Sequence, residues 1–139
     1  MKVLIDTNIL LDVLLDREEF ADESQVILDW CEAHPDSGWI AWHTLANLYY
    51  IGVRIAGKEN AERFVDEVLE VFEICAADTL AAKSARSMPI GDFEDALQVA
   101  AAQKAQLDAI ITRNKKDFRG SVVPALLPKE FLESQNLGP

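Results

Sequence analysis

Cysteine is scarce in this sequence. The 139 residues include only Cys31 and Cys75, and no Cys-x-x-Cys or Cys/His spacing of a zinc site occurs. The two thiols lie far apart in apolar surroundings, which favours buried free cysteines of a cytosolic protein over a disulfide. Because half of the residues are hydrophobic, one domain can fold without disulfides or a structural metal.

Long apolar runs are also missing. No stretch approaches the roughly 18 continuous apolar residues of a membrane span, and no basic leader with an apolar core stands at the N-terminus. We therefore expect no export signal, no contact with a membrane and a cytoplasmic location.

Basic residues are few. The sequence has 13 Lys and Arg against 24 Asp and Glu, a net charge of −11. This balance argues against a protein that holds nucleic acid through a broad basic surface. It leaves open an enzyme that contacts nucleic acid locally through bound cations, and it also fits a basic protein partner.

Apolar runs alternate with helical periodicity along the chain. Strands are predicted at the β-branched run before Asp6 and at 39–42, 71–75, 109–112 and 122–125. Helical patterns separate them, and the last runs from Pro128 to Ser134. The pattern predicts one α/β domain over residues 1–134, with a parallel sheet of about four or five strands covered by helices on both faces. Residues 135–139 are predicted to be a frayed tail.

Acidic residues follow the predicted strands or open the next helix. Asp6 follows the first strand, Asp92 and Asp95 lie three apart in one first turn, and Asp117 follows the strand at 109–112. Parallel strands with right-handed crossovers end at one edge, so these carboxylates are expected to converge. Close carboxylates repel one another unless a cation compensates. Oxygen ligands without thiols or paired histidines favour Mg²⁺ or Mn²⁺.

Simpler interpretations exist for the same residues. Asp6, Asp92 and Asp117 are each good helix caps, and carboxylates near a helix N-terminus are favoured by the helix dipole. Glu94 is expected to point away from the other carboxylates into solvent. His43 opens a helix, where a structural role is the commoner one.

Three segments resemble the motifs of PIN-domain proteins. They are LIDTNIL at 4–10, DFEDALQ at 92–98 before an Ala-rich helix, and IITRNKKDF at 110–118. The motifs occur in the family's order and span most of the chain. The resemblance implies a metal-dependent ribonuclease fold with a central parallel sheet. Many small single-domain members are toxins of toxin–antitoxin pairs, similar to the VapC group, and homodimers are common among them.

The resemblance also implies roles for individual residues. Asp6, Asp95 and Asp117 match the family's metal site, and Asp92 is expected to join them in catalysis. Four polar residues are expected to support the site. Three lie within the motifs, Asn8, Thr112 and Asn114, and Asn47 lies on the helix after the second strand. Three basic residues flank the site and would hold substrate phosphates: Arg113, Lys115 and Lys116. The alternative is that they are ordinary surface charges.

One position departs from the family pattern. Many active members carry a glutamate on the helix after the second strand, where this chain has Asn47. An amide can bind a cation or a water, but it brings no charge and cannot act as a base. On the motifs and the acidic residues together, the leading hypothesis is an Mg²⁺- or Mn²⁺-dependent endoribonuclease with an RNA substrate and an antitoxin partner. The alternative is a PIN-like module that binds RNA or protein without turnover.

A phosphotransfer domain of the receiver or dehalogenase type is a third, weaker hypothesis. The dehalogenase type requires Asp-x-Asp after the first strand, where this chain has Asp6-Thr7-Asn8. A receiver requires an acidic pair there and an aspartate at the end of its third strand, and Asp78 stands too late for that.

Overall fold

Five short strands form the centre of the protein. The computed structural model describes residues 1–135, so most of the tail predicted at 135–139 lies outside the described residues. The strands are β1 (Val3–Ile5), β2 (Gly38–Ala41), β3 (Glu73–Cys75), β4 (Ala109–Ile111) and β5 (Ala125–Leu126). The helices are α1 (Thr7–Leu14), α2 (Ala21–Ala33), α3 (Trp42–Ala56), α4 (Lys58–Val71), α5 (Thr79–Ser87), α6 (Phe93–Lys104) and α7 (Pro128–Ser134). A 3₁₀ turn spans Lys115–Phe118.

The sheet is parallel throughout, with strand order β3-β2-β1-β4-β5. Strands β1 and β4 are completely buried, as expected for a parallel sheet covered on both sides. Val3 and Ile5 belong to one apolar cluster, whereas Leu4 belongs to another, because successive side chains point to opposite faces. The predicted α/β fold with helices on both faces is confirmed.

The strand order changes direction beside β1. The chain moves from β1 to β2 and β3 on one side, and then crosses to β4 on the other side. Ligands of parallel α/β sheets bind at such a switch point, beyond the carboxyl ends of the strands. Ile5 pairs with Ile111, so the residues that follow them, Asp6 and Thr112, emerge side by side. The topology thus fixes the position of the site described below.

Some predicted element bounds were wrong. Strand β2 ends at Ala41, and Trp42 begins α3 with its side chain 66% exposed. Val71 ends α4 instead of starting β3. The last strand lies at 125–126 because Ser121 and Val123 are hydrogen-bonded to each other in a turn. Apolar character predicted these runs, but it does not distinguish a strand from the helix or turn beside it.

The cysteines are buried and free, as predicted. Burial raises the pKa of the Cys31 thiol to about 12 and that of Cys75 to about 11, so both thiols stay protonated and unreactive at neutral pH. Within residues 1–135, no helix has the length and apolar character needed to cross a membrane.

Candidate metal centre

Asp6 lies where β1 ends and α1 begins. Asp6 is the N-cap residue of α1, but its side chain makes no capping hydrogen bond to the helix. The carboxylate is 3% exposed and accepts hydrogen bonds from Gln98 Nε2 to Oδ1 at 2.9 Å and from Thr112 Oγ1 to Oδ2 at 2.8 Å. Burial raises the pKa of Asp6 above its ordinary 3.8, whereas these two hydrogen bonds lower it and the charge of Glu94 raises it further.

The first turn of α6 carries most of the remaining acidic groups. Asp92 is the N-cap, and its Oδ1 accepts a hydrogen bond from the backbone N–H of Asp95 at 3.1 Å. Capping explains Asp92 structurally, and its role in catalysis stays a prediction. Burial, followed by the charges of Glu94, Asp6, Asp92 and Asp117, raises the pKa of Asp95 to about 7 from 3.8. Burial is the largest cause of this shift, and the four neighbouring carboxylates add to it.

Glu94 belongs to the site, and the prediction that it points into solvent was wrong. One carboxylate oxygen from each of Asp6, Glu94 and Asp95 can be chosen so that the three lie within 4.8 Å of one another. Glu94 Oε1 accepts from Gln98 Nε2 at 3.2 Å, and Glu94 Oε2 lies 2.6 Å from His43 Nε2. His43 therefore reaches the edge of the site from the first turn of α3.

Asp117 lies at the mouth of the site and not within the cluster of three. It is exposed on the 3₁₀ turn. A cleft of about 590 Å³ joins it to Asp92 and Asp95, and its remaining lining is Pro89, Gly91, Lys116 and Arg119. The cleft thus joins the second and third motifs, with two basic side chains among its walls, and Asp95 links it to Asp6 of the first motif.

The predicted supporting residues differ in how they contact the site. Thr112 is buried, donates to Asp6 and accepts a hydrogen bond from the backbone N–H of Asn114 at 3.0 Å, which fixes the direction of its hydroxyl. The side chains of Asn8, Asn47 and Asn114 are half-buried and make no hydrogen bond to any other residue in the 1–135 range. Their supporting roles stay predictions.

Arg113 lies outside the cleft, contrary to its predicted position on the substrate path. Its Nε and Nη2 donate to the two oxygens of Asp12 at 2.9 and 3.0 Å, and its guanidinium lies 4.0 Å from the ring centre of Phe20. Asp12 is fully buried and also accepts from Arg17 and Ser24. Because a buried carboxylate needs these partners, the geometry assigns Arg113 a structural role.

Lys115 is also paired, but at the surface. Its Nζ lies 3.0 Å from both carboxylate oxygens of Glu130. Exposed ion pairs are worth about 0–1 kcal/mol, so this contact leaves Lys115 able to turn toward a phosphate. Lys116 lines the cleft directly, together with Arg119, a residue that inspection of the motifs did not single out.

The donor set fits a hard divalent cation. Three carboxylates converge without a cationic group between them, and the raised pKa values of Asp6 and Asp95 record their repulsion and burial. Oxygen-only ligands suit Mg²⁺ or Mn²⁺, and the cluster contains no thiol or imidazole that would favour zinc. A bound cation would relieve the repulsion that the protein otherwise bears.

Besides Arg119, two residues that matter to the structure were missed in the sequence, Gln98 and Asp12. Gln98 is fully buried and bridges Asp6 and Glu94, yet it stands in an Ala-rich helix where it resembles a surface residue. The signal was its spacing, four residues after Glu94 and three after Asp95, which places the three side chains on one helix face. Asp12 resembled a polar position of an amphipathic helix, and its partner Arg113 is 101 residues away.

A family model described as PIN domain matches residues 2–116. No curated protein matches the sequence significantly. A toxin–antitoxin complex from Klebsiella pneumoniae contains a chain that is 28% identical, with 93% of this chain and 99% of that chain covered and a TM-score of 0.68.

Two further solved structures share the fold. One is VapBC2 from Rickettsia felis bound to a DNA fragment from its promoter, at 21% identity, 91% and 98% coverage and a TM-score of 0.69. The other is VapC20 from Mycobacterium tuberculosis, a toxin that cleaves the sarcin-ricin loop, at 14% identity, 78% and 87% coverage and a TM-score of 0.64.

The raised pKa of Asp95 predicts a pH dependence of stability. Between about pH 4 and pH 7 the folded protein binds a proton at Asp95 that the unfolded chain has lost, so the free energy of unfolding falls as pH rises through this range. Thermal unfolding of the EDTA-treated protein should show a falling melting temperature from pH 5 to 8. Asp95→Asn should flatten that fall, and parallel curves for the two proteins would contradict the assignment.

The pairing of Arg113 predicts a loss of stability when it is changed. Arg113→Gln should lower the free energy of unfolding by about 3 kcal/mol, the low end for breaking a buried pair, because Arg17 still contacts Asp12. Urea denaturation measures this. The control Lys116→Gln changes an exposed cation of the cleft and should stay within about 0.5 kcal/mol. Equal stability of both variants would return Arg113 to the candidates for substrate binding.

Proposed function

Because the chain belongs to the PIN-domain family, we propose that it is a metal-dependent endoribonuclease and the toxin of a toxin–antitoxin pair. The observation that carries the proposal is the convergence of Asp6, Glu94 and Asp95 at the switch point of the sheet. The similarity to toxin chains of known structure supports it, above all the Klebsiella complex at 28% identity.

Asp6, Asp95 and Asp117 are proposed to hold one or two Mg²⁺ or Mn²⁺ ions, with Asp92 assisting them. Such a cation supplies water activation at neutral pH and neutralises charge that develops on the phosphodiester. Gln98 and Thr112 orient Asp6 and leave each of its oxygens a further acceptor position. Thr112 and Gln98 therefore act as the supporting shell that holds a ligand in place.

The RNA strand is proposed to enter along the cleft. Lys116 and Arg119 line it together with the carboxylates and would bind phosphate oxygens of the strand, and Lys115 precedes Lys116 on the same 3₁₀ turn. Such phosphate contacts position a strand without reading its sequence. The net charge of −11 keeps RNA away from the rest of the surface, so productive binding depends on this local basic group and the cations.

The partner is proposed to be a small antitoxin with a basic or aromatic segment that enters the acidic cleft. The excess of acidic residues, 24 against 13, favours such a partner electrostatically. The structural neighbours from Klebsiella and Rickettsia are toxin–antitoxin complexes, which supports this class of partner.

Asn47 favours a second candidate function. The missing charge at this position is consistent with a module that binds RNA or protein without cleaving it. Cleavage assays separate the two candidates, because only the nuclease turns over.

Substitution of Asp6 tests the nuclease directly. Purified protein should cleave a pool of structured RNAs with Mg²⁺ or Mn²⁺ and lose cleavage in EDTA. Asp6→Asn should lower the rate by at least about 100-fold, since loss of an outer hydrogen bond alone already costs 10–100-fold. The control Asp66→Asn removes an exposed carboxylate of α4 and should cleave normally. Folded, antitoxin-free protein that cuts nothing with either metal would support the binding module.

Growth of a bacterial host tests the toxin role separately. Induced expression should arrest growth, whereas Asp6→Asn should not. A genomic fragment that relieves the arrest should encode a small basic or aromatic-rich protein that co-purifies with the chain. An active nuclease that never slows growth, and that no fragment inhibits, would remain a nuclease but not a toxin.

A further inference from the structure

The carboxylate that is missing from α3 has a counterpart on α6. We propose that Glu94 supplies the charged oxygen ligand at this metal centre in place of a glutamate at position 47, and that His43 and Gln98 position it. The inference rests on the proposed function, because it assigns a ligand of the same centre. It explains how a chain with Asn47 keeps the full negative charge of the site.

The position of Glu94 is the first argument. One oxygen of its carboxylate lies within 4.8 Å of one oxygen of Asp6 and one oxygen of Asp95. Asp117, by contrast, lies outside that cluster at the mouth of the cleft. Glu94 is also the carboxylate whose charge acts on buried Asp6 and helps to raise its pKa.

The two donors on Glu94 are the second argument. Gln98 Nε2 lies 3.2 Å from Oε1 and His43 Nε2 lies 2.6 Å from Oε2, so each oxygen has one donor. A carboxylate oxygen accepts about two hydrogen bonds or ligand bonds, so each keeps one acceptor position. A solvated surface glutamate has no such fixed orientation. A metal ligand has one, because hydrogen-bond partners around it hold its side chain in place.

Gln98 provides an independent sign of a ligand. Its side chain is fully buried, and its Nε2 donates to both Asp6 and Glu94. Its Oε1, attached to the same carbon, has no hydrogen-bond partner within residues 1–135. A buried acceptor without a donor is costly. Because Nε2 of the same amide contacts two carboxylates of the centre, we infer that a hydrated cation bound there supplies the missing partner of Oε1.

Helix α3 reaches the centre through an imidazole, that of His43, and not through a carboxylate. His43 and Asn47 are four residues apart, so they lie on one helix face. At position 47 the helix presents a neutral amide, and at position 43 it presents a donor that holds Glu94. The helix thus contributes a positioning group, and α6 contributes the charge.

A charge-relocation experiment tests the proposal. The wild type, Glu94→Gln, Asn47→Glu and the double variant are titrated with MnCl₂ by calorimetry and assayed on RNA. Glu94→Gln should weaken Mn²⁺ binding by at least about tenfold. Asn47→Glu alone should change it little, whereas in the Glu94→Gln background it should restore at least about tenfold. The control Glu133→Gln removes an exposed carboxylate of α7 and should bind as the wild type does.

Several outcomes would overturn the inference. Unchanged Mn²⁺ affinity in Glu94→Gln, with lower stability, would make the His43–Glu94 contact a structural link between α3 and α6. A large gain from Asn47→Glu alone, or no gain in the Glu94→Gln background, would also contradict it. If the wild type binds no Mn²⁺ and cuts no RNA, the proposed function fails as well. If the wild type binds Mn²⁺ and cuts RNA, and Glu94→Gln does both equally well, this inference is refuted and the proposed function stands.

Glu94→Asp provides a second variant if Glu94→Gln does not fold. The shorter side chain keeps the charge but moves it away from Asp6 and Asp95. The Mn²⁺ affinity of Glu94→Asp should therefore fall. His43→Gln keeps Glu94 but removes its imidazole partner, so its loss of Mn²⁺ affinity should be smaller. Wild-type affinity in Glu94→Asp would contradict a ligand role.

Discussion

The structure depends on one buried carboxylate at the end of the central strand. Asp6 is 3% exposed, in a place where an isolated negative charge would be very costly. It is retained because Gln98 and Thr112 donate to its two oxygens. The pairing of β1 with β4 places Thr112 beside it, and Gln98 reaches it from α6. The remaining acidic groups are arranged around this anchor, and their mutual repulsion makes the site receptive to a cation.

The first turn of α6 combines several roles within a few residues. Asp92 caps the helix, Asp95 and Glu94 join the cluster with Asp6, and Gln98 follows one turn later to bridge two of the carboxylates. The helix dipole adds a favourable field for negative charge at this end. A single helix start can therefore supply both ligands and the residue that orients them, which reduces what α3 must contribute.

Basic residues close to one another in sequence have different fates in the fold. Arg113 is fixed by a buried carboxylate, Lys115 pairs weakly at the surface, and Lys116 lines the cleft. Their spacing predicted one phosphate-binding group. The 3₁₀ turn at Lys115–Phe118 instead sends successive side chains in different directions, so that Arg119 joins Lys116 in the cleft.

The sequence by itself determined the alternation of strands and helices, the parallel sheet and the placement of Asp6, Asp92, Asp95 and Asp117 at strand ends and helix starts. These features follow from local hydrophobic pattern and from the rule that parallel strands end at one edge. The motifs were sufficient to indicate the family.

Only the tertiary structure decided which way the side chains point. Glu94 turns toward the centre because His43, 51 residues away, and Gln98 hold it. Arg113 turns away from the cleft because it pairs with buried Asp12, 101 residues away. Strand bounds at 42, 71 and 122–125 also depended on neighbours that a local pattern does not contain. The direction of a side chain depends on partners that are distant in sequence, so it was not predictable. Whether a segment is a strand or a helix depends mainly on its own local pattern, so it was.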